Sequence, residues 1–235
     1  ARGRLWLASV PLGPALEGIG PQCGRMAGPG SITRFEVSPL GLACHSVDGP
    51  LAAGADVQGI SATGYLSLLA LLLRLGCLDA DGHFRTPASP LARRVAPPPQ
   101  QARTGLRLPL PYGQWLAAAD VEELLKVKAA FSQALEALLR AAGLAAADVA
   151  CLALAGALGE HCPPACLEEL GFLPSGMGRR VRAVGNSSLD GAALLAAEPW
   201  RLPALARWCA AATLVPVAED PGFHADYLRH MRFGV

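Results

Sequence analysis

Gly156, Ala157, Leu158 and Gly159 follow one short apolar run of this 235-residue chain, and Gly185 and Asn186 follow another. Glycine lets a backbone approach a ligand closely, and a helix that begins after such a turn presents unsatisfied N–H groups to it. Ser61, Thr63 and Gly64 form a third group. Hydroxyls at a helix start cap free amides, and the same amides and helix dipole attract phosphate; a plain capped helix fits these residues equally well. This third turn is no nucleotide P-loop, because no lysine follows its second glycine. Glu17, a lone acid among glycines, suits a cleft or a solvated loop. Lys126 and Lys128 read first as solvated helix cations.

Other polar groupings are weaker. His161, Cys162 and Cys166 lack a second ligand pair at finger-like spacing, and two prolines separate the cysteines, so no metal is assigned there. Asp79 and Asp81 fall short of a calcium loop, which needs more oxygen ligands and a terminal glutamate. No catalytic residue is assigned.

The glycine turns need elements to hold them. Residues 149–155 and 180–184 read as short buried strands, each leading through glycine into an Ala- and Leu-rich helix. That is the pattern of consecutive βα units in a parallel sheet, where ligands sit beyond the carboxyl ends of the strands. A helix over 65–75 follows the Ser61 turn and is closed by Gly76. The longest helix spans 121–142, with Asp120 as its amino-terminal cap and Gly143 as its stop. Strands are expected at 4–10, 32–37, 42–47 and 213–217, with an amphipathic segment at 200–209 and a closing helix at 223–233. Residues 86–111 carry many prolines and read as an exposed insertion or linker.

Composition bounds the function classes. Hydrophobic residues make up 52% and charged residues 17%, which marks a globular chain. The net charge of +1 gives no footprint for nucleic acid or an anionic membrane. No apolar run is long enough to cross a bilayer. Seven scattered cysteines, several in apolar patterns, point to reduced buried thiols in a cytoplasmic protein. The first residue is not methionine and no signal segment follows it, so the chain reads as the interior of a longer protein.

Taken together, the glycine blocks resemble the carboxyl-terminal domain of the RACo-type reductive activators of corrinoid proteins, which belong to the actin, sugar-kinase and chaperone ATPase (ASKHA) superfamily. The resemblance rests on Gly13–Gly18 through Pro29–Ile32, on Gly59–Gly64 with its helix and Gly76–Gly82, on Leu154–Gly159 with Gly171–Pro174, and on Val184–Asn186 with Gly191. Asp120 and Lys128 also fall where the family has an acid and a lysine on its long helix. The blocks keep their order over essentially the whole chain.

The resemblance implies an α/β fold, a ribonuclease H-like ASKHA subdomain with a mixed sheet and flanking helices, as one domain over residues 1–235. It implies ATP with Mg as cofactor in the full-length protein. It also implies a 2Fe–2S cluster in a separate domain, and reduction of a cobalt(II) corrinoid (cobalamin) protein partner to cobalt(I). No nucleic acid or membrane partner is implied, and a homodimer is allowed. Carried across, Gly156 and Gly159 border the nucleotide and Gly185 and Asn186 line the same cleft. Ser61, Thr63 and Gly64 match a turn that is usually Cys-Gly-Ser-Gly, and Glu17 and Lys128 are cleft polar groups. The family's two aspartate–glycine–threonine phosphate loops and its four cluster cysteines are absent from these residues. The chain is therefore expected to form half of a nucleotide cleft. Two other readings stand beside this one: a diverged module that docks a corrinoid protein without ATP, and a small-metabolite kinase of the same superfamily.

Overall fold

The computed structural model describes residues 3–10, 12, 14–103 and 105–234. Strand β1 (Leu5–Leu7) opens the chain and a glycine-rich loop follows. Five strands come next: β2 (Ser31–Ile32), β3 (Arg34–Ser38), β4 (Gly41–Ser46), β5 (Gly49–Pro50) and β6 (Gly59–Ile60). The expected hairpin forms, with Phe35 opposite Cys44 in the β3–β4 ladder and β5 extending it. The strand expected over 32–37 is divided at Thr33, so that Ile32 pairs in parallel with Ile60 instead.

Helix α1 (Ala62–Arg74) is the centre of the core, with every residue from Ala62 to Leu72 buried. A helix that is apolar nearly all round must be covered on all sides, and β3 and the helices Gly156–His161 and Pro164–Glu169 lie against it. Residues 86–111 differ from the expected exposed linker. They contain α2 (Pro90–Val95), β7 (Gln100–Ala102) and β8 (Gly105–Pro109), and they bury Ala92, Val95, Ala96 and Leu108. The prolines fit because one starts α2, where no N–H is needed, and another takes the last position of β8, where the strand ends. Strand β9 (Trp115–Ala117) completes an antiparallel sheet with β7 and β8.

Helix α3 (Ala118–Ala142) is the long helix, stopped by Gly143 at φ +64°. It begins three residues earlier than expected, and Asp120 lies inside its first turn. From there the buried carboxylate reaches back to the Ala117 N–H at 3.0 Å and across to the Gln22 N–H at 2.9 Å. One side chain thus satisfies the start of α3 and fixes the glycine-rich loop to it. Three buried polar side chains of α3 also hold main-chain carbonyls. Lys128 Nζ donates to His230 and Arg232 at 3.1 and 2.7 Å, Ser132 Oγ to Gly171 at 2.9 Å, and Gln133 Nε2 to Phe223 at 2.8 Å.

The rest of the chain alternates as the sequence predicts. Strand β10 (Leu152–Leu154), helices α4 (Gly156–His161) and α5 (Pro164–Glu169), strand β11 (Val181–Ala183) and helices α6 (Ser187–Ala197) and α7 (Leu202–Ala210) follow in order. Strand β12 (Ala212–Leu214) pairs in parallel with β1, and α8 (Phe223–His230) packs on α3. The described strands form two antiparallel three-stranded sheets and three parallel pairs, flanked by helices: a mixed α/β architecture.

Two stability measurements test this framework. Asp120→Ala leaves two backbone N–H groups without their acceptor, and urea unfolding should show a loss of about 1–3 kcal/mol. An equal stability for the variant would contradict the assigned role. Lys128 is buried, which lowers its pKa from 10.5 to about 8, and Arg229 adds to the shift. Between these values the unfolded lysine holds a proton that the folded one has lost, so this group's contribution to stability rises with pH across that window. Wild type should therefore gain on Lys128→Met between pH 8 and pH 10.5, and a pH-independent gap would refute the titration.

Candidate functional site

Strands β10 and β11 run parallel in the register Leu152 to Val181 and Leu154 to Ala183. The pairing continues past their carboxyl ends. Val184 N–H donates to the Leu154 carbonyl at 3.0 Å, and Gly156 N–H donates to the Gly185 carbonyl at 2.8 Å. The two glycine turns are thus bonded side by side. Gly156 has φ +85° and Gly185 φ +61°, values that side-chain-bearing residues rarely adopt. A Cβ added at either would meet no atom within 4 Å, so both turns open into space.

The other residues of this group have packing and capping roles. Gly159 is buried, and a Cβ there would lie 2.6 Å from the Leu154 Cβ. Its lack of a side chain lets α4 fold back onto β10. Asn186 Oδ1 accepts the Leu189 N–H at 3.1 Å and caps α6. The turns themselves carry no carboxylate; the next acids along the chain are Glu160 and Asp190. The surface they form offers backbone groups and open space without a metal ligand.

Ser61, Thr63 and Gly64 lie at the start of α1 and are buried. Ser61 Oγ accepts the Gly64 N–H at 3.2 Å and lies 2.9 Å from Thr63 Oγ1. Ser61 N–H donates to the Ile32 carbonyl at 2.9 Å. A Cβ at Gly64 would be 2.3 Å from that same carbonyl oxygen, so helix and strand meet there in backbone contact. The capping role is filled in full. Among the described residues, no hydrogen bond or ion pair joins this turn to Gly156 or Gly185.

Lys128 is fully buried against the carbonyls of His230 and Arg232, while its neighbour Lys126 is the solvated cation, paired with Glu122 and Glu123. Glu17 belongs to a short turn, and its side chain lies outside the described residues. His161, Cys162 and Cys166 do not gather as ligands. The group of metal-ligand type that the described residues bring together is Asp79, Asp81 and His83, within 4.8 Å of one another. Its acids already have partners, Asp79 in Arg85 and Asp81 in Arg232.

The sequence reading missed an ion-pair network beside α3. Glu136 accepts from Arg140 at 3.2 Å, Arg229 at 2.9 Å and His230 Nε2 at 2.8 Å. Burial alone would raise the Glu136 carboxyl, but the Arg229 and His230 bonds outweigh it and hold the pKa down. Burial lowers the His230 pKa against the opposing pull of the Glu136 hydrogen bond, and its Nε2 faces the carboxylate. This network borders a cavity of about 480 Å³ walled by Leu135, Leu139, Leu144, Phe172 and Pro174. The spacing of Glu136 and Arg140 by four was visible in the sequence; their distant partners were not.

Comparison with known proteins places this geometry. The family model of the C-terminal domain of RACo, the ASKHA domain, matches residues 1–234. The corrinoid activation enzyme RamQ of Eubacterium limosum is 26% identical over 240 residues, covering 98% of this chain and 40% of that protein. The Co(II) methylated amine-specific corrinoid protein reductase of Methanosarcina barkeri is 27% identical over 218 residues, covering 85% of this chain and 36% of its own length. A solved reductive activator for corrinoid, iron-sulfur protein superposes with a TM-score of 0.83 at 23% identity, over 99% of this chain and 37% of that one. The chain therefore spans about two fifths of these relatives. Among the described residues, no helix is long and apolar enough to cross a membrane. With its ordered glycine blocks, its mixed α/β architecture and a family match over nearly every residue, the chain belongs to the family of the C-terminal domain of RACo, the ASKHA domain.

Proposed function

We propose that this chain is the carboxyl-terminal, ATPase-type part of a reductive activator that returns cobalt(II) corrinoid proteins to the cobalt(I) state. The observation that carries the reading is the bonded pair of glycine turns, Gly156 to Gly185, at the carboxyl ends of two parallel strands. This is where parallel α/β folds bind ligands. The partner class follows from the relatives, which are corrinoid activation enzymes and reductases by name.

In this reading Gly156, Gly159, Gly185 and Asn186 form one wall of the ATP site. The residues present fit a nucleotide at this wall, because the positive-φ glycines leave space in which a flat or phosphorylated group can approach the backbone. Mg would take its ligands from outside these turns, which hold no acid. ATP, when bound, supplies the free energy for an otherwise uphill one-electron reduction. The electron comes from a 2Fe–2S cluster in a part of the protein beyond these residues, and cobalt(II) gains it to become cobalt(I). What this chain does is bind and orient: α4 and α6 fix the two turns, and β10–β11 fixes their separation.

One observation favours a second reading. The Ser61 and Thr63 hydroxyls are turned on each other and buried, so this turn has little left to offer phosphate. A module that docks a corrinoid protein without ATP would need no more.

Electron transfer distinguishes the two. In the full-length protein, ATP should accelerate cobalt(II) reduction, followed by the visible spectrum of the corrinoid. Gly156→Val places a side chain in the open space at a backbone angle it disfavours, and should reduce the ATP effect at least about tenfold. Equal rates with and without ATP would select the docking module. The 235 residues alone should bind ATP more weakly than micromolar by calorimetry, since they supply a single wall, and micromolar affinity would contradict that.

A further inference from the structure

The cavity beside α3 shares no lining residue with the proposed nucleotide wall. Its volume of about 480 Å³ falls within the range of small-molecule sites. Local devices build its apolar lining. Leu135 and Leu139 stand four residues apart on one face of α3. Gly143, at φ +64°, turns the chain back so that the Leu144 N–H donates to the Leu139 carbonyl at 2.9 Å, and Leu144 joins the same lining. Ser132 Oγ holds the Gly171 carbonyl at 2.9 Å, and the Phe172 ring packs on Phe131 with centroids 5.8 Å apart. Phe172 and Pro174 are thereby fixed beside α3, and Ala146 lies with them in the wall.

The polar part of the lining is Glu136, Arg140 and His230, with Ser132 turned to its carbonyl. An ionised carboxylate accepts about four hydrogen bonds, roughly two at each oxygen. Glu136 Oε2 accepts from Arg229 and His230, whereas among the described residues Oε1 accepts from Arg140. One acceptor position at Oε1 is therefore open, on a side chain that is 39% exposed.

The charges around it are matched. Arg140 pairs with Glu136, Asp220 and Asp226, and Arg229 pairs with Glu136 and Asp226. Lys128 lies behind His230, its Nζ 3.1 Å from the His230 carbonyl. Glu136, Asp220 and Asp226 thus stand against Arg140, Arg229 and Lys128. A ligand of either sign meets like charges beside opposite ones, so the site complements an uncharged molecule.

We propose that this cavity binds an uncharged small molecule with an apolar body and a hydroxyl or amide N–H at one end. The body lies against Leu135, Leu139, Leu144 and Phe172, and the donor bonds Glu136 Oε1. A donor there completes the carboxylate without adding a charge, and the apolar lining keeps water from competing for the bond. Because Arg229 and His230 of α8 hold the same carboxylate, an occupant also braces α8 against α3. The inference goes beyond the ATP reading and uses none of its residues.

Methyl-TROSY spectra of the full-length protein that contains this chain, labelled at leucine methyls, test it with benzyl alcohol, benzylamine, benzoate and toluene. Benzyl alcohol should shift the Leu135, Leu139 and Leu144 methyls saturably and raise the melting temperature. Benzylamine and benzoate should bind at least about tenfold more weakly, since each carries a charge to a site without an unmet counter-charge. Toluene, which lacks the donor, should bind at least about threefold more weakly. Leu139→Trp fills the cavity and should abolish the benzyl alcohol shifts at Leu135 and Leu144; if that variant does not fold, Ala146→Leu narrows the same space. Absence of saturable shifts with benzyl alcohol would overturn the proposal. So would equal binding of toluene, tighter binding of either charged probe, or shifts that persist in the filled variant. Saturable binding together with a cobalt reduction rate indifferent to ATP would leave this site standing and remove the ATP reading.

Discussion

The structure depends on the contact between the first turn of α1 and the end of β2. Gly64 lies so close to the Ile32 carbonyl that a single added carbon would collide with it at 2.3 Å. That approach brings the Ser61 N–H to the same carbonyl and seats Ser67 Oγ between the Phe35 N–H and the Gly64 carbonyl, each bond 2.9 Å long. Eleven buried helical residues then follow in succession. With a wider separation the helix could not fill the space against β3, and the leucines from 66 to 72 would lose the contacts that make their burial favourable. The Ser-Ala-Thr-Gly turn is thus first a packing device. Any ligand role must coexist with it.

The glycine turns after β10 and β11 obey a different constraint. They are held by hydrogen bonds to each other, with little packing around them, and they open outward. Gly159 is the exception, since it locks α4 onto β10. The wall therefore has one side tied to the buried half of the molecule through α4, which lies against α1, and one side leading into α6, which buries nothing. Such an arrangement gives a ligand backbone groups fixed by main-chain geometry, with stability differing across the two sides.

Much of this was legible in the sequence because it is local. The two strand–glycine–helix units, the β3–β4 hairpin, α1 and the Gly143 stop all follow from periodicity and turn chemistry within a few residues. The readings that fell short required distant partners. Asp120 looks like a cap because it precedes an apolar period, but its carboxylate also holds Gln22, 98 residues away, and so sits deeper in the helix. Lys128 looks like a solvated cation because nothing nearby in sequence reveals the carbonyls at 230 and 232. The proline-rich stretch at 86–111 looks like a linker because prolines dilute its pattern, yet its alanines and Leu108 find the core. Composition measures polarity, and long-range contact decides its use.

Lys128, Ser132 and Gln133 show why that distinction matters for function. An amphipathic reading of α3 assigns its polar residues to water, yet these three face inward and end on the main chain of α8, its following residues and the Gly171 turn. Burying an ammonium among carbonyls costs desolvation that apolar side chains would avoid, so its return lies in specificity of position as well as in stability. Lys128 fixes where the carboxyl end of α8 lies, and α8 supplies the Arg229 and His230 that complete the Glu136 network on the same helix. The position of that network is set by a lysine two helical turns away on α3 that bonds main-chain carbonyls at 230 and 232. A residue resembling a family's functional lysine can therefore have a well-defined physical task before any ligand is considered.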